Sequence, residues 1–138
     1  GLTTKVKFAF ADPDVIISPP EKGITLPSSD VCFQINSDQL NKLLKASAVY
    51  QLPDLSVIGN GRTISVLVSD RKNDNSNEFS LHVGETDEAF EFNFRVENIK
   101  LLPGSYDVEI SKQLLAKFTN SDYNLDYYIA LEPDSTYD

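Results

Sequence analysis

The stretch that decides the fold reads VCFQINSDQLNKLLKASAVYQLP and occupies residues 31–53. Residues 31–36 alternate between apolar and polar side chains, which predicts a short strand. From Ser37, a good N-cap, apolar residues recur at helical spacing, so we predict a helix over about residues 38–51. Leu52-Pro53 ends this helix because proline disfavours the helical conformation in the residue before it. The buried stripe of the helix consists of Leu40, Leu43, Leu44 and Ser47.

Strands follow the helix. We predict them over about 55–59, 63–69 and 79–85, with an exposed hairpin loop over 70–78, where the sequence is polar throughout. The inner faces of the last two strands are Ile64, Val66 and Val68, then Phe79, Leu81 and Val83.

The same order then begins again. Phe90, Phe92 and Phe94 alternate with polar residues and predict a strand. A short helix over about 96–102 is expected to stop at Pro103-Gly104, and three strands follow. Strand, helix and three strands thus occur twice, over about 31–87 and 89–132. This repeat predicts an α+β fold of two pseudo-symmetric β-α-β-β-β units whose two helices share one face.

The N-terminal part, residues 1–27, combines one predicted strand with a segment rich in proline. Val6, Phe8 and Phe10 predict a half-buried strand over 5–10. Residues 12–27 hold four prolines and a glycine, too many breakers for an element, and we expect an extended connector with Ile24 and Leu26 as its apolar points. Gly1 in place of methionine is typical of a cleaved tag, so we expect a fragment of a longer chain.

Composition excludes several classes of protein. The chain has 138 residues, 41% of them hydrophobic, and a net charge of −9, which excludes a protein coated in basic residues that grips nucleic acid over its whole surface. A single cysteine, Cys32, excludes a disulfide framework. No apolar run is long enough to span a bilayer, and no signal peptide is visible.

The sequence offers little for catalysis or metal binding. Cys32 and His82 both fall in strand patterns about fifty residues apart, and no nucleophile elbow or phosphate-binding loop occurs. The polar loop fails as a calcium site because the sixth residue from Asp70 is Asn75 rather than glycine and the twelfth is Leu81 rather than glutamate. We therefore expect no catalytic residue, no metal and no cofactor.

The distribution of charge along the chain is more informative about function than the search for catalytic or metal-binding residues. Residues 38–51 and residues 95–102, which include the two predicted helices, each hold one more basic than acidic residue, whereas the rest of the chain is strongly acidic. Two lysines on an exposed helix face are often only solubilising. Because both helices share the sign, they also suit a weak electrostatic surface for a polyanion, with feeble and salt-sensitive binding.

The last predicted strand, residues 127–131, has apolar or aromatic side chains on both faces. Tyr128 and Ala130 occupy the face that a one-sided sheet would make polar, and Leu115 breaks the polar face of the preceding strand. The connector could simply pack over these residues as a satellite cluster. Alternatively, Ile24, Leu26, Leu115, Tyr128 and Ala130 form a shallow apolar pocket for a partner's short peptide.

Several segments in this order are similar to one protein family. The chain resembles the C-terminal half of the sliding clamps of T-even-type tailed phages, the processivity rings of replicative polymerases. The matching segments are Ala11-Asp12-Pro13, Leu40-Asn41-Lys42-Leu43-Leu44-Lys45, Phe92-Asn93-Phe94, Pro103-Gly104-Ser105-Tyr106 and residues 130–138. Asp126-Tyr127-Tyr128-Ile129-Ala130 also looks like the closing strand of the eukaryotic proliferating-cell clamp.

The resemblance implies a DNA-clamp fold, with antiparallel sheets outside and helices lining the hole of a homotrimeric ring. Residues 1–27 would then hold the last strand of an N-terminal clamp domain plus the connector, and 28–138 the C-terminal clamp domain. The resemblance implies that duplex DNA is faced by Lys42, Lys45, Arg95 and Lys100. The pocket of Ile24, Leu26, Leu115, Tyr128 and Ala130 would take the C-terminal tail of the polymerase and a segment of the clamp loader.

Such a clamp acts in the cytoplasm of the infected bacterium and performs no bond chemistry. T-even clamps also activate late transcription, and the sequence leaves open whether this chain does so. We expect that the isolated domain does not assemble the native ring. Two alternatives remain: a phage structural or adhesion module without a DNA role, and a small hydrolase that uses unpaired carboxylates.

Overall fold

The computed structural model describes residues 25–73 and 75–138, together with the backbone of residues 15–18. The predicted strand over 5–10, Ala11-Asp12-Pro13 and Ile24 lie outside the described residues. The strands are β1 (Val15–Ser18), β2 (Val31–Ile35), β3 (Asp54–Asn60), β4 (Thr63–Ser69), β5 (Phe79–Glu85), β6 (Ala89–Arg95), β7 (Tyr106–Ser111), β8 (Leu115–Asn120), β9 (Leu125–Ala130) and β10 (Thr136–Tyr137). One α-helix, α1 (Ser37–Tyr50), lies between β2 and β3.

The strands form two antiparallel sheets of five. The first sheet has the order β1-β9-β8-β7-β2 and the second the order β10-β6-β3-β4-β5. Both contribute their inner faces to one hydrophobic core, and the ring of Phe94 in the second sheet meets that of Phe118 in the first edge-on at 6.1 Å. The prediction of an α+β fold with two antiparallel sheets is confirmed.

Helix α1 packs against β4 and β5 through Leu40, Leu43 and Ser47. Its N-cap is Asn36, one residue before the predicted Ser37, because the Asn36 side chain accepts the Gln39 N–H at 2.8 Å and the Gln39 side chain accepts the Asn36 N–H at 3.0 Å. The helix ends at Gln51, whose φ of 56° is left-handed, as expected from Pro53.

The second helix is much shorter than predicted. In place of a helix over 96–102 the chain makes a single 3₁₀ turn, Val96–Asn98. The next residues find other partners, because the Tyr127 hydroxyl accepts the Leu102 N–H at 3.2 Å and the Tyr106 hydroxyl donates to the Leu102 carbonyl at 2.5 Å. The pseudo-symmetry of the two units is therefore incomplete, with one α-helix rather than two on the shared face.

Two strands were not expected from the sequence. β1 lies within the predicted connector and pairs with β9, so the expectation that residues 12–27 form no element was wrong for Val15–Ser18. A short β-branched run between prolines is tolerated there because β1 is an edge strand. β10 adds the C-terminal segment to the second sheet beside β6.

The other strand predictions agree with the structure within two residues. β8 begins at Leu115, directly after Leu114, which has a φ of 73° in the turn after β7. β9 covers Leu125–Ala130 rather than 127–131. The polar loop over 70–78 joins β4 to β5 as predicted.

Candidate functional site

The exposed face of α1 carries two of the lysines predicted to face DNA. Lys42 and Lys45 are three residues apart and both exposed, on the side of the helix away from the buried stripe. The Lys42 ammonium lies 3.1 Å from the Asp38 carboxylate, and both side chains are more than half exposed. Such an exposed pair contributes only about 0.3–0.5 kcal/mol, so Lys42 remains available to another anion.

Lys100 is held on a well-anchored segment. Ile99 is buried, and the backbone of Leu102 is bonded by the hydroxyls of Tyr106 and Tyr127. The segment starts next to the end of α1, since the Val96 N–H donates to the Pro53 carbonyl at 2.9 Å. Lys100 itself is exposed.

The structure separates Arg95 from these lysines. Arg95 follows the buried Phe94 in β6, so its side chain lies on the outer face of the second sheet, whereas α1 packs on the core side. The Arg95 Nε atom lies 3.4 Å from the Glu132 carboxylate. Arg95 thus holds the segment that leads to β10.

Three residues of the predicted peptide pocket lie on the outer face of the first sheet. Leu115 and Ala130 face each other across β8 and β9, and Tyr128 is the next residue along on that face, opposite Lys117. Leu115 and Ala130 are half-buried. Leu115, Tyr128 and Ala130 therefore share one face of the sheet.

The connector approaches the same end of this face. Leu26 is half-buried and lies two residues before Ser28, whose hydroxyl is 2.8 Å from that of Ser111. Ser111 is paired with Leu115. Ile24, the remaining residue of the predicted pocket, lies outside the described residues.

Tyr128 is more deeply buried than its position on an outer face would suggest, with 3% of its surface exposed. It lies between Lys117 of β8 and the backbone of β1. Burial, and second the charge of Asp126, raise the pKa of the Tyr128 hydroxyl above its ordinary value. Burial would lower the pKa of Lys117, but the hydrogen bond and charge of Glu109 and the charge of Asp126 raise it overall. The phenol is therefore neutral and the lysine charged near pH 7.

Comparison with known proteins identifies the family. The chain matches the family described as gp45 sliding clamp, C terminal, over residues 32–133. It belongs to that sliding-clamp family. The matched residues run from β2 to the start of the segment before β10, so they include α1 and most of both sheets.

Three curated sliding clamps are similar to the chain. That of Enterobacteria phage T4 is 30% identical over an alignment of 136 positions that covers 93% of this chain and 58% of that protein. Those of Vibrio phage KVP40 and Escherichia phage RB69 are 27% and 29% identical over 94% and 96% of this chain and 60% of each protein. The chain thus spans about 60% of the length of these relatives.

Metal-ligating clusters and long apolar helices are both absent from the residues that the structure describes. Residues 25–73 and 75–138 contain no group of three or more His, Cys, Asp or Glu side chains that could hold a metal ion. No helix in the described part of the chain is long and apolar enough to cross a membrane. Cys32 is exposed, with its sulfur 3.1 Å from the Ser29 hydroxyl.

The sequence placed residues 130–138 among the segments that resemble the clamp family, but it did not predict the contacts that this C-terminal segment makes. The Glu132 N–H donates to the Asn93 carbonyl at 2.7 Å, and the Ser135 hydroxyl accepts the Asn93 N–H at 2.9 Å. Asp134 pairs with Arg71. The signal available was Ser135-Thr136-Tyr137, a short run with β propensity after a proline.

Proposed function

We propose that the chain is the C-terminal domain of a phage sliding clamp, a DNA polymerase processivity factor that closes around duplex DNA and carries the polymerase with it. The observation that supports this is the family match over residues 32–133. The lysine-bearing face of α1 and an apolar patch on the outer face of the first sheet are compatible with the two contacts that such a clamp needs. The proposed role involves no catalysis.

The physical contribution of a clamp is topological. A closed ring cannot dissociate sideways from a duplex, so a polymerase bound to it stays at a high effective concentration near the primer end. Lys42, Lys45 and Lys100 would neutralise only a few phosphates, and a protein that must slide needs such weak, non-specific contacts. The net charge of −9 keeps DNA away from the rest of the surface. Arg95 is not among the proposed DNA-facing residues, because its side chain lies on the outer face of the second sheet, away from α1, and pairs with Glu132.

The native assembly would be a homotrimeric ring placed on DNA by a separate clamp loader, in the cytoplasm of an infected bacterium. In this proposal residues 1–27 contain the last strand of a preceding clamp domain and the connector, and 28–138 form the C-terminal domain. Activation of late transcription, which the resemblance to T-even clamps suggests, would use the same ring.

The proposed pocket contains Leu26, Leu115, Tyr128 and Ala130, with Ile24 as its fifth member. It would bind the C-terminal tail of the polymerase and a segment of the clamp loader. An apolar tail residue would rest on Leu115 and Ala130. Lys117 and the acidic groups beside Tyr128 would select the polar flanks of the tail.

Retention on DNA tests the main proposal. The full protein, meaning this chain with any sequence that adjoins it in its gene, is loaded on a nicked circular plasmid by its loader and then isolated by gel filtration. We expect it to remain on the circle and to leave within minutes of cutting at one site. Equal loss from circular and linear DNA would contradict the ring and favour the structural or adhesion alternative.

Charge variants test which residues face DNA in that assay. Lys42→Glu, Lys45→Glu and Lys100→Glu together should shorten retention on the circle and reduce the salt dependence of loading. The matched control is Arg62→Glu, Lys72→Glu and Lys112→Glu, which changes the net charge equally at exposed sites elsewhere. Equal effects of the two triple variants would contradict the assignment.

A labelled peptide tests the pocket. We expect a fluorescent peptide that copies the cognate polymerase tail to bind, and Leu115→Asp or Tyr128→Ala to weaken binding about tenfold or more. Tyr123→Ala, at an exposed tyrosine in the β8–β9 turn, is the control. Because Tyr128 is buried, thermal melts of each variant separate unfolding from loss of binding. No binding of the peptide at millimolar concentration would reject the pocket.

A further inference from the structure

The outer face of the second sheet, opposite α1, carries a groove of about 340 Å³ that the proposed clamp function does not use. It runs over β3 and β4, between β6 and the loop that joins β4 to β5. The residues that give it its chemistry are Ile58, Leu67, Asp70, Arg71, Glu78 and Glu91.

The floor of the groove is apolar. Ile58 and Leu67 are half-buried on a sheet face whose other positions on β3 and β4 are polar, so they are exceptions to the rule that outer positions of a one-sided sheet are polar. Ser56 is paired with Leu67, and Ile58 with Ser65, so the two apolar side chains are diagonal neighbours. Together they form a small apolar patch for one side chain of a partner.

One wall of the groove is formed by residues of the loop that joins β4 to β5. The Arg71 N–H donates to the Asp54 carboxylate at 2.8 Å, which ties the start of the loop to β3. Within the loop the Asn73 N–H donates to the Asp70 carbonyl at 3.0 Å, and the Asp70 N–H donates to the Ser76 hydroxyl at 3.3 Å. The groove is therefore preformed, which lowers the entropic cost of binding.

The formal charge of the groove is negative. Arg71, its cation, is paired with Asp134. Among the ion pairs of the described residues, none involves Asp70, Glu78 or Glu91. Asp70 accepts the Lys72 N–H at 3.2 Å, and Glu91 accepts the Asn93 side-chain amide at 3.0 Å, so both carboxylates are held in fixed orientations.

We propose that this groove binds a short basic segment of a partner protein, in which one apolar side chain is flanked by lysine or arginine. The apolar side chain would rest on Ile58 and Leu67, and the cations would pair with Asp70, Glu78 and Glu91. A second copy of the chain fits poorly because its net charge is −9, and duplex DNA is repelled by the same carboxylates. This proposal is independent of the clamp function.

The experiment uses the peptide acetyl-Gly-Lys-Leu-Arg-Gly-amide as probe, titrated into ¹⁵N-labelled chain at low ionic strength. We expect amide shifts that cluster at Ile58, Leu67 and Glu91, with saturation in the millimolar range. Two control peptides are used: Gly-Glu-Leu-Glu-Gly tests the sign of charge, and Gly-Lys-Gly-Arg-Gly tests the apolar residue. Both should bind at least several-fold more weakly.

Matched variants distinguish binding in the groove from non-specific attraction to the negative charge of the whole chain. Asp70→Asn, Glu78→Gln and Glu91→Gln together should weaken the probe about tenfold, as expected when charge pairs at a contact are removed. Glu85→Gln, Asp87→Asn and Glu88→Gln remove the same charge at exposed positions around the β5–β6 turn and should change binding less than twofold. Dispersed amide spectra verify that both triple variants are folded.

Three results would overturn the proposal. Equal weakening by the two triple variants would mean non-specific attraction, and an absence of shifts in the groove at saturating probe would mean no site. A dimer in sedimentation that the groove variants dissociate would make a second copy the occupant. None of these outcomes bears on the ring, which the plasmid assay tests separately.

Discussion

At the scale of single residues, two strand glycines provide a matched pair. A Cβ atom on Gly59 of β3 would lie 2.3 Å from the Phe90 ring, whereas one on Gly84 of β5 would meet nothing closer than 3.7 Å. Gly59→Ala must displace a buried aromatic ring, and we expect it to lower the free energy of unfolding by about 1–3 kcal/mol. Gly84→Ala should change it by less than about 0.5 kcal/mol. Urea denaturation measures both, and equal values would show that Phe90 moves freely.

Tyr106 makes the fold sensitive to alkali. It is 2% exposed, and burial raises the pKa of its hydroxyl to about 12. Because the folded state favours the neutral phenol, the stabilisation is complete below the unfolded pKa of 10.0 and is lost as the pH rises towards 12. Urea midpoints between pH 9 and 12 should therefore fall, and less steeply in Tyr106→Phe. Tyr123→Phe, at an exposed tyrosine, is the control. If the urea midpoint of Tyr106→Phe fell with pH as steeply as that of the unchanged protein, a group other than Tyr106 would cause the alkaline destabilisation.

At the scale of elements, the start of α1 depends on one side chain. Asn36 caps the helix with its carboxamide, whereas Ser37, the cap predicted from sequence, is the first helical residue. Asn36→Ala should therefore cost about 0.5–2 kcal/mol of unfolding free energy, while Ser37→Ala should cost less. Thermal melts of the two variants distinguish the caps. The reverse order would show that the serine hydroxyl does the capping.

The C-terminal segment joins the two sheets. After β9 the Leu131 N–H donates to the Leu114 carbonyl at 3.0 Å, and the chain then crosses to the second sheet. There the Tyr137 ring stacks on Phe90 and Phe92, with centroids 6.2 and 6.0 Å away, and the Lys112 ammonium lies 5.8 Å from its centroid. The segment covers the open side of the core and protects the edge of β6 from pairing with another chain.

At the scale of the whole molecule, the prediction concerns assembly. A clamp ring needs complementary surfaces at both ends of each subunit, and the chain spans about 60% of the length of its curated relatives. We therefore expect the 138-residue chain alone to be monomeric in light scattering at micromolar concentration, without a closed trimer. A clean trimer of this chain would contradict the proposed division into a preceding domain and 28–138.

The sequence by itself determined what depends on local period and local breakers. Three local signals placed α1 and most strands correctly: the shift from a period of two to a period of 3.6 at Ser37, the proline after α1 and the three alternating phenylalanines of β6. The order of the predicted elements was enough to suggest the clamp family. Leu115, Tyr128 and Ala130 also met on one face, because strand alternation decides the face before pairing is known.

Only the tertiary structure decided features that depend on partners distant in the chain. β1 exists because Val15–Ser18 pair with β9, more than a hundred residues away, and β10 because Tyr137 reaches Phe90. Two tyrosine hydroxyls form hydrogen bonds with the Leu102 backbone where a second helix was expected, and Arg95 of β6 pairs with Glu132 of the C-terminal segment. The physical reason is the same in each case: hydrogen bonds and ion pairs between remote segments outweigh weak local propensity, and a single sequence does not show which remote segments will meet.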